Sequence, residues 1–170
     1  MFPVVRRAEK MIVEDMSLDK EYAPIDGDAD FNKGSRGALF GWDHADVTSG
    51  RVASAQTLSG TGALRVLSEF LVGFRGTPIY ISNPTWGNHQ QVFKSAGLQV
   101  HQYRYFHAET KGLDIAGMLE DLEKAQPGSA VLLHTCAHNP TGVDPTKAQW
   151  KLIADVCAKN NLFPFFDTAY

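Results

Sequence analysis

Ala130-Val131-Leu132-Leu133-His134-Thr135-Cys136-Ala137-His138-Asn139-Pro140-Thr141-Gly142-Val143-Asp144-Pro145-Thr146 is the stretch that decides the fold. Ala130 to Thr135 is a short, mostly apolar run, the pattern of a buried strand. His138 to Gly142 reads as a turn, with Pro140 and Gly142 setting its backbone. Asp144-Pro145-Thr146 then opens a helix, with proline at a favourable first position. That helix carries Trp150, Ile153, Ala154 and Cys157, and Leu162 to Phe166 is a further strand. Strand, helix and strand in this order imply a crossover and a parallel pair.

The same alternation extends upstream. Arg51 to Leu58 is a candidate strand. Thr61 to Phe74 reads as a helix, with Leu64, Leu67, Phe70, Leu71 and Phe74 on one apolar face. Pro78 to Ser82 is a short strand, and Asn88 to Ala96 a helix stopped by Gly97. Leu98 to Tyr103 is a strand, and Asp114 to Ala125 a helix with an aspartate cap. The expected fold class is α/β, a three-layer α/β/α arrangement with a mostly parallel sheet spanning residues 51–170. Residues 1–50 read differently. Pro3 to Glu14 has helical spacing, Asp15 to Lys33 is rich in charge and turn residues and is expected to wrap over a surface, and a short helix runs through Ala38 and Leu39 toward Trp42.

Composition agrees with a globular chain. The 170 residues include 16 Lys plus Arg and 19 Asp plus Glu, a net charge of −3, with 44% hydrophobic and 21% charged residues. Disordered, collagen-like and disulfide-framework proteins are excluded. Mild acidity argues against a nucleic-acid partner. No apolar run reaches the roughly 18 residues of a membrane span, and the N-terminus lacks a signal peptide's apolar core. Cys136 and Cys157 each sit in an apolar run and read as buried thiols of a reducing compartment.

In such sheets, ligands bind beyond the carboxyl ends of the strands. Ser59-Gly60-Thr61-Gly62 offers hydroxyls and free N–H groups at a helix start, suited to a phosphate. It is not a full dinucleotide fingerprint, because Arg65 stands where a third small residue belongs, and a plain tight turn is the alternative. Trp86 offers a flat face to a planar ligand, or plugs the core rim. His89 is a catalytic or a structural histidine. Asn139 donates into a cleft or caps a turn. Asp167 ends an apolar strand, where a carboxylate is costly unless paired; the alternative is a surface turn. Taken together, an anion cup, an aromatic face, a neutral donor, a carboxylate and the Tyr170 phenol suit a phosphorylated heteroaromatic cation. A generic nucleotide-binding domain needs a ribose-binding acid after the next strand, and Ser82-Asn83-Pro84 stands there.

The motifs Leu58-Ser59-Gly60-Thr61-Gly62-Ala63-Leu64-Arg65, Pro84-Thr85-Trp86-Gly87-Asn88-His89, Cys136 to Thr146 and Phe166-Asp167-Thr168-Ala169-Tyr170 resemble those of the fold-type-I pyridoxal-phosphate aminotransferases, most closely the aspartate aminotransferases. The resemblance runs from Phe2 to Tyr170. It implies transfer of an amino group between L-aspartate and 2-oxoglutarate, giving oxaloacetate and L-glutamate, with pyridoxal 5'-phosphate as cofactor. It assigns Asp167 to the protonated pyridine nitrogen, Asn139 and Tyr170 to the ring's phenolic oxygen, and Trp86 to the ring face. Ser59, Gly60 and Thr61 fall to the phosphate, and His89 supports Asp167 from behind. Tyr22, in Glu21-Tyr22-Ala23-Pro24, matches a tyrosine that reaches the phosphate of the neighbouring subunit, which implies a homodimer. No metal ligand is expected.

The resemblance also places the Schiff-base lysine and the arginines that clamp the substrate's carboxylates beyond residue 170. No catalytic residue is therefore assigned within these residues, and the expectation is a fragment, inactive alone. The alternative is a truncated chain that only binds cofactor or pairs with full-length subunits. A cytoplasmic location is expected, with a mitochondrial form as the alternative.

Overall fold

Apolar residues repeat at helical spacing in long segments and run continuously in short ones, and the structure follows that division. A computed structural model describes residues 1–19 and 21–170. Lys20, inside the Asp15 to Lys33 stretch, lies outside the described residues. The chain divides into two units, Met1–Gln56 and Thr57–Tyr170.

The N-terminal unit contains α1 (Pro3–Glu14), α2 (Ala29–Phe40) and α3 (Ala45–Thr48). The expected first helix is present with those bounds. The second helix starts at Ala29, well inside the stretch expected to wrap irregularly. Asp28 is the reason: its carboxylate accepts the N–H of Phe31 and caps the first turn. The strand expected over Arg51 to Leu58 does not form. Its polar groups are taken up elsewhere: Gln56 donates its N–H to Asp26 and accepts the Asp28 N–H, and Arg36 donates to Ser54.

The C-terminal unit contains α4 (Ser59–Phe74), β1 (Ile79–Asn83), α5 (His89–Ser95), β2 (Val100–Arg104), β3 (Phe106–His107), β4 (Gly112–Leu113), α6 (Ile115–Glu123), β5 (Ala130–His134), α7 (Lys147–Lys159) and β6 (Phe163–Asp167). Four strands form one parallel sheet in the order β2-β1-β5-β6. The β3–β4 ribbon is an antiparallel pair too short to be read from alternation. Helix α7 begins after Thr146, not at Pro145. Thr146 and Gln149 form a reciprocal capping box that leaves the proline outside the helix.

Two cores flank the sheet. Leu64 and Leu71 of α4 and Phe93 of α5 pack with Ile79, Ile81, Leu132 and Phe165 on one face. Met118 and Leu122 of α6 and Ile153, Val156 and Cys157 of α7 pack with Tyr103, Val131 and Leu133 on the other. The unit is thus the expected α/β/α sandwich. All five residues of β5 are buried, as a central strand covered on both faces requires.

Candidate functional site

Parallel strands end on the same side, so the turns after β1, β5 and β6 meet there. In-register pairing sets His134, the last residue of β5, beside Asp167, the last of β6. After β1 the chain turns through Thr85 and Trp86 into α5, and the first helical residue is His89. Ser59 opens the sixteen-residue α4 at a positive φ of 60°. The first N–H groups of that helix have no partner within it, and its dipole favours an anion.

These turns enclose a cavity of about 270 Å³ lined by Ser59, Gly60, Thr61, Leu64, Trp86, His134, Cys136, Asn139, Asp167, Ala169 and Tyr170. Seven residues singled out from the sequence therefore come together: Ser59, Gly60, Thr61, Trp86, Asn139, Asp167 and Tyr170. His89 lies behind them, fully buried, with Nε2 2.8 Å from Asp167 Oδ2. Tyr22 belongs to the N-terminal unit, where its side chain is fully exposed. Cys136 is exposed rather than buried, because β5 stops at His134 and the thiol lies beyond its end.

The hydrogen bonds behind Asp167 form a directed chain. The backbone N–H of Asn139 donates to His134 Nδ1 at 3.2 Å. A backbone N–H only donates, so neutral His134 carries its proton on Nε2. Nε2 lies 3.3 Å from Thr85 Oγ1, which lies 2.7 Å from His89 Nδ1. The threonine hydroxyl thus accepts from one imidazole and donates to the next. His89 keeps a proton on Nε2, between its ring and the carboxylate.

That hydrogen bond holds the Asp167 carboxyl below the usual carboxylate range, against the opposing effect of partial burial. Burial lowers the pKa of His134. Burial also pushes His138 down to about 4, with His134 adding to the effect. Both rings are neutral at neutral pH. Asp167 is thus an ionised carboxylate facing a cavity, and its Oδ1 is not engaged by any described residue. Asn139 Nδ2 and the Tyr170 hydroxyl are 3.5 Å apart, a weak contact that leaves both groups open to a ligand. The Trp86 indole meets the His89 ring edge-on, with centroids 5.2 Å apart.

Thr85, His134 and His138, whose ring reaches Ser82 Oγ and Thr141 Oγ1, are not legible in the sequence as members of the site. The four-residue spacing from Thr85 to His89 was a usable signal, since it joins a pre-helical hydroxyl to the first helical turn. His134 was hidden because strand pairing places it, not a motif. His89, His134 and Asp167 also bring three metal-ligating atoms within 4.8 Å of one another. No sequence spacing announces that group, which comes from α5, β5 and β6. In the structure His89 bonds to Asp167 and Thr85, and His134 bonds to Thr85 and the Asn139 N–H.

The sequence pattern of the family described as aminotransferase class I and II matches residues 1–170. The chain belongs to that family. It is 54% identical over 168 residues to aspartate aminotransferase 1 of Medicago sativa, covering 98% of this chain and 40% of that protein. It is 55% identical to the cytoplasmic aspartate aminotransferase of Oryza sativa subsp. japonica, covering 98% and 41%. A chloroplastic aspartate aminotransferase of Arabidopsis thaliana matches at 50%. The chain thus spans about two fifths of the length of the curated relatives it matches. Among solved structures, an aromatic-amino-acid aminotransferase of Burkholderia pseudomallei covalently bound to pyridoxal phosphate superposes with a TM-score of 0.95. It is 43% identical, with 99% of this chain and 42% of that one covered. The aspartate aminotransferase from Saccharomyces cerevisiae cytoplasm superposes with a TM-score of 0.92 at 42% identity, covering 98% and 40%. These neighbours share the fold-type-I α/β/α arrangement described above.

Proposed function

We propose that this chain supplies most of the cofactor-binding wall of a pyridoxal-phosphate-dependent aspartate aminotransferase, which moves an amino group between L-aspartate and 2-oxoglutarate. One observation carries the reading. An ionised carboxylate, backed by a buried histidine, stands in a cavity that also holds the N-terminus of a long helix. An aromatic cation bearing a phosphate satisfies both.

The residues present fit that group. Asp167 would pair with the pyridine N–H, Asn139 and Tyr170 with the phenolic oxygen, and Trp86 with the ring face. Ser59, Gly60 and Thr61 would hold the phosphate through side chains and helix N–H groups. The chemistry that pyridoxal phosphate supplies when bound is that of an electron sink. Asp167 would set a negative charge against the ring nitrogen, and His89 holds Asp167 ionised. Trp86 and Leu64 give the cavity an apolar side. Aspartate as substrate is favoured by the 54–55% identity to two curated aspartate aminotransferases.

A homodimer in which Tyr22 reaches the phosphate of the neighbouring subunit belongs to the same reading, as does a cytoplasmic location. No helix among the described residues is long and apolar enough to cross a membrane. The alternative is a short chain that binds cofactor without catalysis.

Titration with pyridoxal phosphate, followed by quenching of tryptophan fluorescence, tests the cofactor reading. Saturable binding by this chain is expected. Asp167→Ala, which removes a charge-assisted hydrogen bond, is expected to weaken it about 10- to 100-fold. Binding unchanged in Asp167→Ala would sink the reading. For the protein that contains the whole family length, transamination of aspartate at least as fast as of phenylalanine is expected. A strong preference for phenylalanine would transfer the assignment to the aromatic enzymes.

A further inference from the structure

The chain of hydrogen bonds behind Asp167 starts at a backbone N–H in the loop after β5, and something must hold that loop. Ala137 adopts a positive φ of 48°. This is the left-handed region, where a residue with a Cβ is strained and persists only if its surroundings enforce it. The enforcing group is the Asp144 carboxylate. Its Oδ2 accepts the Ala137 N–H at 2.8 Å and its Oδ1 accepts the His138 N–H at 2.9 Å. Two successive N–H groups converge on one carboxylate, the arrangement of an anion-binding nest. The next N–H, that of Asn139, is the one delivered to His134 Nδ1.

His138 locks the same loop from its other side. Its ring is buried and stacks on Tyr105, with centroids 3.8 Å apart, and on His134, with centroids 4.3 Å apart. Its Nε2 reaches Ser82 Oγ at the end of β1, and its Nδ1 reaches Thr141 Oγ1. The loop is therefore tied to β1 by His138 and to its own far end by Asp144.

We propose that Asp144 is a positioning residue for Asp167: by holding the Ala137–Asp144 loop it presents the Asn139 N–H to His134 and so fixes which nitrogen of His134 carries the proton. The consequence passes through Thr85 and His89 to the carboxylate. Without Asp144 the strain at Ala137 relaxes and the Asn139 N–H leaves His134 Nδ1. The imidazole then samples both tautomers, and Thr85 no longer has a fixed donor behind it. This rests on the reading of Asp167 as the partner of a pyridine nitrogen, but Asp144's hold on His134 exists in the protein without cofactor.

The test uses the 170-residue chain labelled with ¹⁵N at histidine, without pyridoxal phosphate. In the unsubstituted chain His134 is expected to be a single tautomer with its proton on Nε2. Asp144→Ala is expected to move both His134 ring nitrogens toward the average of the two tautomers and to speed exchange of its ring proton about tenfold. Asp144→Asn, which keeps one acceptor oxygen, is expected to fall between. Thr146→Ala, which removes the neighbouring helix cap, lowers stability and is expected to leave the His134 tautomer unchanged. A wild-type tautomer in Asp144→Ala, or the same change in Thr146→Ala, overturns the proposal. If Asp144→Ala does not fold, Asp144→Asn decides by the same criterion. Failure of the unsubstituted chain to bind pyridoxal phosphate sinks the cofactor reading and leaves this result standing.

Discussion

The two units of the chain use their apolar residues differently. In Thr57–Tyr170, helices on both faces of a parallel sheet bury large side chains, and Leu71, Phe93, Met118, Leu122 and Ile153 are almost completely covered. In Met1–Gln56, α1 has no buried residue, and Val4, Met11, Ile12 and Val13 are exposed. Both regions carry convincing helical periodicity. The difference teaches that periodicity specifies a face, while burial requires a second surface to receive it. It also separates their chemistry, because a buried polar network needs a dry, packed frame around it.

Core truncation tests this contrast most severely. Phe93→Ala is expected to cost about 3–5 kcal/mol of stability, since it removes a wholly buried ring. Ile12→Ala is expected to change stability by less than about 0.5 kcal/mol. Urea unfolding followed by circular dichroism measures both, and comparable losses would erase the distinction.

Acid sharpens the contrast next. His134 and His138 are buried and lie in the C-terminal unit, whereas His44, the histidine of the N-terminal unit, is exposed. A histidine whose folded pKa is depressed binds its proton more readily when unfolded. Its contribution is lost as pH falls below the unfolded value near 6.5, and for His138 the loss is complete near the folded value of about 4. That single group is expected to remove on the order of 3 kcal/mol across this window. Asp167 adds to the loss at lower pH, because its carboxyl is held below its ordinary range and must be protonated to unfold. Hydrogen exchange resolved by residue, run at pH 7 and pH 4.5, is expected to show opening concentrated in Thr57–Tyr170. Equal opening in both units would refute the assignment.

Helix starts give the smallest effect. Thr146 closes a capping box on α7, whereas α1 begins at Pro3 and Phe2 before it supplies no side-chain cap. Thr146→Ala is expected to cost about 1 kcal/mol, and Phe2→Ala to leave the α1 start unchanged. A thermal melt of each variant is sufficient.

Much of the site was legible because strand ends in a parallel sheet are predictable places for chemistry. Ser59, Trp86, Asn139 and Asp167 each follow an apolar run or open a helix, so a linear reading found them. The apparent strand over Arg51 to Leu58 misled for a related reason. Its residue types permit a strand, but Asp26, Asp28 and Arg36 claim its polar groups first. Thr85 and His134 escaped because neither residue type is unusual where it stands. Their function arises from distances to residues far away in sequence.

The sequence by itself determined the alternation of helices and strands, the parallel sheet it implies, and the set of side chains able to hold a phosphate, a ring and a cationic nitrogen. Those properties are local or periodic, so they are written in neighbouring residues. Only the tertiary structure decided which imidazole nitrogen carries a proton behind Asp167, and that a strained loop held by Asp144 governs it. Proton placement depends on donors and acceptors a few ångströms apart in space, and here they come from α5, β5, β6 and the loop between β5 and α7.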